Sequence, residues 1–79
     1  MEQKVPDRDL GIATFVKERR RANNLSQAEL GELAGVGRRL VVEVEKGKPT
    51  VRLDAVNKIL KVFGKTLGVV EAKRTRGEV

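Results

Sequence analysis

The sequence predicts a small all-α domain of four or five short helices followed by one C-terminal β-strand. Three observations lead there. Apolar residues recur at helical spacing, most cleanly Val56, Ile59, Leu60 and Phe63. Ser26 and Glu29 have the S-x-x-E spacing of a helix-opening capping box. The 79 residues contain no cysteine and no histidine, so neither a disulfide nor a thiolate or imidazole metal site can staple the fold. A chain this short buries only about 60% of the surface its unfolded form exposes. Its marginal core invites help from a partner subunit.

Residues 1–8 carry Pro6 and alternating charges without periodicity and read as a flexible leader. The first helix is expected to start near Asp9, a good N-cap, with Asp7 and Asp9 early and Arg19, Arg20 and Arg21 late, as the helix dipole favours. Ile12, Phe15 and Val16 form its apolar positions, and Asn23 and Asn24 end it. A second helix opens at Ser26, carries Leu30, Leu33 and Ala34, and stops at Gly35.

Residues 36–47 are ambiguous on pattern alone. Leu40, Val42 and Val44 alternate like a strand and the run is β-branched. Yet Val36, Leu40, Val41 and Val44 also share one helical face, with Gly47 where a C-cap would stand. After the turn Lys48-Pro49-Thr50 comes the Val56–Phe63 helix, stopped by Gly64. Leu67, Val69 and Val70 then form a run too short for a helix, read as a strand over residues 65–72. A lone strand needs a ladder partner, and a second copy across a two-fold axis is the economical one. Residues 73–79 read as a basic flexible tail.

Charge narrows the function. Seventeen Lys and Arg against eleven Asp and Glu give +6, which favours polyanions, nucleic acid ahead of an anionic membrane surface. Residues 25–50 are balanced, four basic against four acidic, while residues 51–79 carry seven against three. No apolar run approaches the roughly 18 residues of a membrane span, and Met1–Pro6 lacks a signal-peptide core, so a cytoplasmic protein is expected. Without His or Cys, the usual nucleophile–base pairs are excluded. Gly64-Lys65-Thr66 mimics the end of a P-loop, but Ile59 stands where that motif needs glycine. Gly35-Val36-Gly37 has Leu40 at its sixth position and makes no dinucleotide fingerprint. Asp54 and Glu71 lack companions for a metal. No enzyme, cofactor or metal site is expected.

Two short helices joined by a glycine-containing turn, the second opening with arginines, have the form of a helix-turn-helix. In detail, Leu25-Ser26-Gln27-Ala28-Glu29-Leu30-Gly31-Glu32-Leu33-Ala34-Gly35-Val36-Gly37 resembles the LTQxELAxxxGVS stretch of the Cro/lambda-repressor-like (XRE) helix-turn-helix family. Val41-Val42-Glu43-Val44-Glu45-Lys46-Gly47-Lys48-Pro49 resembles its ISxxExGxx continuation. The resemblance spans roughly residues 10–64, within a DNA-binding domain expected over 9–64. It implies that residues 36–45 form a recognition helix. The strand after the last helix is similar to that of HipB-like antitoxins, which dimerise through it and pair with a HipA-type kinase toxin. Gly31 and Gly37 depart from the family's usual Ala and Ser or Thr.

The resemblance and the chemistry together nominate residues. Arg38 and Arg39 would read base edges, since a guanidinium pairs with guanine O6 and N7, a contact worth about 1–3 kcal/mol of discrimination; alternatively they grip phosphates. Glu43 would accept from cytosine N4 or pair with Arg39 at i, i+4. Val42 would meet a thymine methyl or simply stand exposed. Ser26, Gln27 and Gly37 at helix starts, with Lys46 and Lys48, would bind phosphates. Arg20 and Glu45 match a family ion pair tying the first helix to the recognition helix. The expected function is a homodimeric repressor on a palindromic double-stranded operator, autoregulating a HipBA-type toxin–antitoxin operon. A protein-binding module that neutralises a partner without reading DNA is the alternative. A single-strand or RNA binder is disfavoured, because Phe15 and Phe63 occupy core positions.

Overall fold

Four helices form where an apolar stripe is followed by a residue that accepts left-handed backbone. The computed structural model describes residues 11–69, with α1 at Gly11–Ala22, α2 at Gln27–Ala34, α3 at Arg38–Glu45 and α4 at Leu53–Val62. Asn24, Gly35, Gly47 and Gly64 have φ of 58°, 77°, 78° and 74°. At each helix end the next two backbone N–H groups turn back onto its last carbonyls, for example Gly47 N–H to Val44 O (3.0 Å) and Lys48 N–H to Glu43 O (3.1 Å). This is the Schellman arrangement, which satisfies acceptors the helix leaves open. It fixes the sharp changes of direction between elements.

Each helix then sends one side chain to the centre. Val16 from α1, Leu30 from α2, Val41 from α3 and Ile59 from α4 are fully buried, joined by Ala13, Val44, Val56 and Leu60. Burying a side chain of this size stabilises by about 1.5–3 kcal/mol. Phe15 and Phe63 pack edge to face at 6.2 Å, and the Arg19 guanidinium lies 5.0 Å over the Phe15 ring. α2 packs on both α3 and α4, and α1 packs on α3. The ambiguous valine-rich segment is helical because burial of Val41 and Val44 outweighs a modest β preference.

Several expectations change. The helix count does not: the described residues hold four, within the expected four or five. Ile12 and Leu33, expected on apolar faces, are exposed. Residues 65–69 form no strand. Instead Leu67 packs against the core, and Asn57 on α4 accepts from the Leu67 N–H (2.7 Å) and the Thr66 hydroxyl (3.1 Å). A ladder needs a second edge, and the described residues of one chain offer none. The predicted start at Asp9, the leader, Val70 and the tail lie outside the described residues. No helix among the described residues is long and apolar enough to cross a membrane.

Candidate nucleic-acid interface

The α2–turn–α3 unit is built from its caps inward. The Ser26 hydroxyl accepts from the Glu29 N–H (3.0 Å), and the Glu29 carboxylate accepts from the Ser26 N–H (2.7 Å), so both halves of the capping box are present. Gly35, Val36 and Gly37 make the turn. Gly31 is buried, and a Cβ there would meet Val36 O at 3.0 Å and Arg38 N at 3.2 Å. A glycine in mid-helix costs about 1 kcal/mol against alanine; here it lets the turn lie directly on α2. Gly37 caps α3 with extended backbone and no side-chain hydrogen bond.

Beneath α3, charge is buried but paired. Arg20 donates from Nε to Glu45 Oε2 (2.7 Å) and from Nη2 to Oε1 (3.1 Å). Its third donor, Nη1, reaches the Leu25 carbonyl (2.9 Å). The two side chains are only 13% and 3% exposed, so the fork is largely out of water. Burial pushes the Glu45 carboxyl up, but hydrogen bonds from Arg20 and Gln27, with the charges of Arg20 and Lys17, hold it below the usual carboxylate range. The hydrogen bond to Glu45 raises Arg20 against an opposing effect of burial. This pair joins α1 to the last turn of α3, as the resemblance implied.

Above α3 the pattern is open. Arg38 and Arg39 are exposed at its first turn. Glu43, one turn on, faces Arg39 Nε at 3.6 Å and Lys48 Nζ at 3.4 Å. The i, i+4 partner is therefore present, and Lys48 adds a second cation from the following loop. Val42 is half-buried, not exposed, and Lys46 is exposed. Gln27, expected to face a phosphate, donates from Nε2 to Glu45 Oε1 (3.1 Å). One amide hydrogen is thus turned inward and bridges α2 to the buried pair. Asn57 and Lys48 were the partners least visible in the sequence, because neither sits at a helical spacing from the group it meets. Leu67 and Val69 lie beyond α4, away from α3 in sequence, and Val70 is outside the described residues.

An outward basic helix start, braced from below and joined to a capped helix by a three-residue turn, is the geometry that lays a helix in a major groove. A sequence model described as Helix-turn-helix matches residues 16–70. The chain belongs to this helix-turn-helix family. The family consists of DNA-binding transcriptional regulators rather than enzymes, and α2 and α3 are its helix-turn-helix pair. The chain is 37% identical over 59 residues to the uncharacterized HTH-type transcriptional regulator y4mF of Sinorhizobium fredii, covering 75% of this chain and 78% of that one. It is 32% identical over 72 residues to an uncharacterized HTH-type transcriptional regulator of Haemophilus influenzae, covering 87% and 72%. Among solved structures it is similar to a chain of a toxin–antitoxin module from Streptococcus pneumoniae, with TM-score 0.72, 36% identity and coverage of 85% and 74%.

Proposed function

We propose that this helix-turn-helix protein is a sequence-specific repressor that binds a pseudo-palindromic operator as a homodimer and serves as the antitoxin of a toxin–antitoxin pair. The observation that carries the DNA reading is the rigid mounting of α3: Arg38 and Arg39 project from a helix locked beneath by Arg20 and Glu45. Arg38, Arg39, Val42 and Glu43 are the proposed base-reading set. Ser26, Gln27, Gly37, Lys46 and Lys48 are the proposed phosphate set. The likeness to the Streptococcus pneumoniae toxin–antitoxin module supports the antitoxin role. The finer reading is a HipBA-type system with a HipA-type kinase toxin.

Dimerisation is proposed through residues 65–72, where Leu67, Val69 and Val70 would become a strand only on pairing with a second copy, since residues 65–69 form none in the single chain. Two recognition helices would then meet successive major-groove faces about 34–36 Å apart. The test is fluorescence anisotropy on duplex DNA from the protein's own upstream region, against a scrambled duplex, across a salt series. Specific binding exceeds non-specific by roughly 10³–10⁷ in regulators of this kind. A preference of at least several hundred-fold at about 150 mM salt is expected. Equal affinity for both duplexes, vanishing with salt, would overturn sequence-specific repression and leave partner neutralisation as the function. A monomer by light scattering at micromolar concentration would overturn the dimer.

A further inference from the structure

We propose that Glu43 is a selectivity residue: its carboxylate holds Arg39 and Lys48 back from phosphates, so that the recognition surface is penalised on arbitrary DNA. The inference rests on the reading that α3 docks on duplex DNA and goes beyond it by assigning an antagonistic role to one of its residues. The geometry places one anion between two cations of the same face, Arg39 Nε at 3.6 Å and Lys48 Nζ at 3.4 Å from the same oxygen, Oε2. The three side chains are unequally exposed, 90% for Arg39, 50% for Lys48 and 26% for Glu43. Both cations can therefore swing toward a ligand, whereas the carboxylate stays seated.

The consequence follows from charge balance. On a random duplex, moving Arg39 and Lys48 to phosphates leaves Glu43 unpaired beside a polyanion. Keeping them on Glu43 forfeits the counterion release those contacts would bring. Only a site that offers a donor to Glu43, such as the cytosine N4 amine, together with acceptors for the two cations, satisfies all three groups. Discrimination then arises partly from weakening wrong sites, which is a recognised route to specificity.

The test compares Glu43→Gln with wild-type protein on a random-sequence 30-base-pair duplex across a salt series, alongside Glu18→Gln. Glu18 is exposed on α1, so its variant changes net charge equally without touching the trio. Glu43→Gln is expected to bind the random duplex about three- to tenfold tighter than wild type. Its salt slope should steepen by about 0.9 for each cation released onto a phosphate. Adding Lys48→Gln to Glu43→Gln should remove part of both gains. A thermal melt matching wild type confirms that the fold is unchanged. Equal effects of Glu18→Gln and Glu43→Gln would overturn the proposal in favour of net charge alone. Weaker binding by Glu43→Gln would overturn it in favour of a carboxylate that positions the cations for phosphate. If wild type bound no duplex at all, the DNA reading itself would fall, a result distinct from either.

Discussion

Two glutamates two residues apart on α3 carry the same group and meet opposite fates. Glu45 points inward, 3% exposed, and is gripped by Nε and Nη2 of Arg20 and by Gln27. Glu43 points outward, 26% exposed, and shares one oxygen between Arg39 and Lys48 at 3.6 and 3.4 Å. Desolvation makes the difference. A buried charge that loses its partner has no water to turn to, whereas an exposed one does. The helix thus has a structural floor and an adjustable surface, and the boundary between them runs between these two side chains.

The largest effect expected is on the floor. Arg20→Ala or Glu45→Ala should destabilise by about 3–5 kcal/mol, because each leaves an unpaired buried charge. Replacing both together by Met and Leu should restore much of that loss, since the pair itself adds little net stability. Denaturant titration of the three variants checks this. The pH dependence has a definite sign. Glu45 has its carboxyl lowered on folding, so its contribution is present above the ordinary carboxylate range and is lost as pH falls through the lowered value. Glu45→Gln should flatten the acid limb of the stability curve in that window. A variant as acid-sensitive as wild type would show that other carboxylates control acid unfolding.

Next in size is the surface at the other end of the helix. Arg38→Ala and Arg39→Ala should each cost about 1–3 kcal/mol in operator discrimination if the side chain reads a base. Both residues are exposed, so melting should shift little. Mutants that bind the operator and a scrambled duplex with equal proportional losses would place these arginines on phosphates. That outcome would sharpen the comparison by moving sequence reading further along α3.

The division between floor and surface also explains what the sequence made legible. The Ser26–Glu29 box, the Val56–Phe63 stripe and the stops at Gly35, Gly47 and Gly64 are local signals, and each became the element it announced. Arg20 and Glu45 lie 25 residues apart, and only the family resemblance joined them before the geometry did. Pattern alone could not choose between helix and strand for residues 36–45, because a valine's burial depends on what packs above it. Spacing puts Leu33 on an apolar face, yet it is exposed, because the narrow contact stripe of this eight-residue helix is taken by Leu30, Gly31 and Ala34. The Asn57 contacts to Thr66 and Leu67 were illegible, because a side-chain amide capturing a later loop leaves no periodic trace. The candidate interface residues lie on or beside α2 and α3, but their mutual pairing, with Gln27 turned inward and Lys48 drawn to Glu43, depends on side-chain directions the sequence does not carry.

A smaller contrast sits at the starts of α2 and α3. Ser26 supplies a hydroxyl to the Glu29 N–H, while Gly37 supplies nothing from its side chain. Ser26→Ala should cost about 1 kcal/mol. Gly37→Ser should gain a few tenths, since its backbone is already extended and no atom lies within 4 Å of an added Cβ. Thermal melts of both variants test whether the two caps differ in chemistry alone. A destabilised Gly37→Ser would mean that the turn cannot accept the hydroxyl's hydrogen-bonding geometry.

The smallest effect expected is the stability change in Glu43→Gln, and it tests the opening contrast most directly. Exposed ion pairs contribute about 0–1 kcal/mol, and salt screens them over a Debye length of about 8 Å at physiological ionic strength. The variant should therefore unfold within about 0.5 kcal/mol of wild type. Any deficit at low salt should shrink as salt is added. Glu45→Gln should show no such recovery, because its partners are shielded from solvent ions. Denaturant midpoints for both variants at two salt concentrations make the comparison. If the Glu43 variant lost as much stability as the Glu45 variant, or if salt rescued both alike, burial would not be what separates the two carboxylates. The surface of α3 would then be part of its structural support, and substitutions there would be read first as folding defects and only second as changes in recognition.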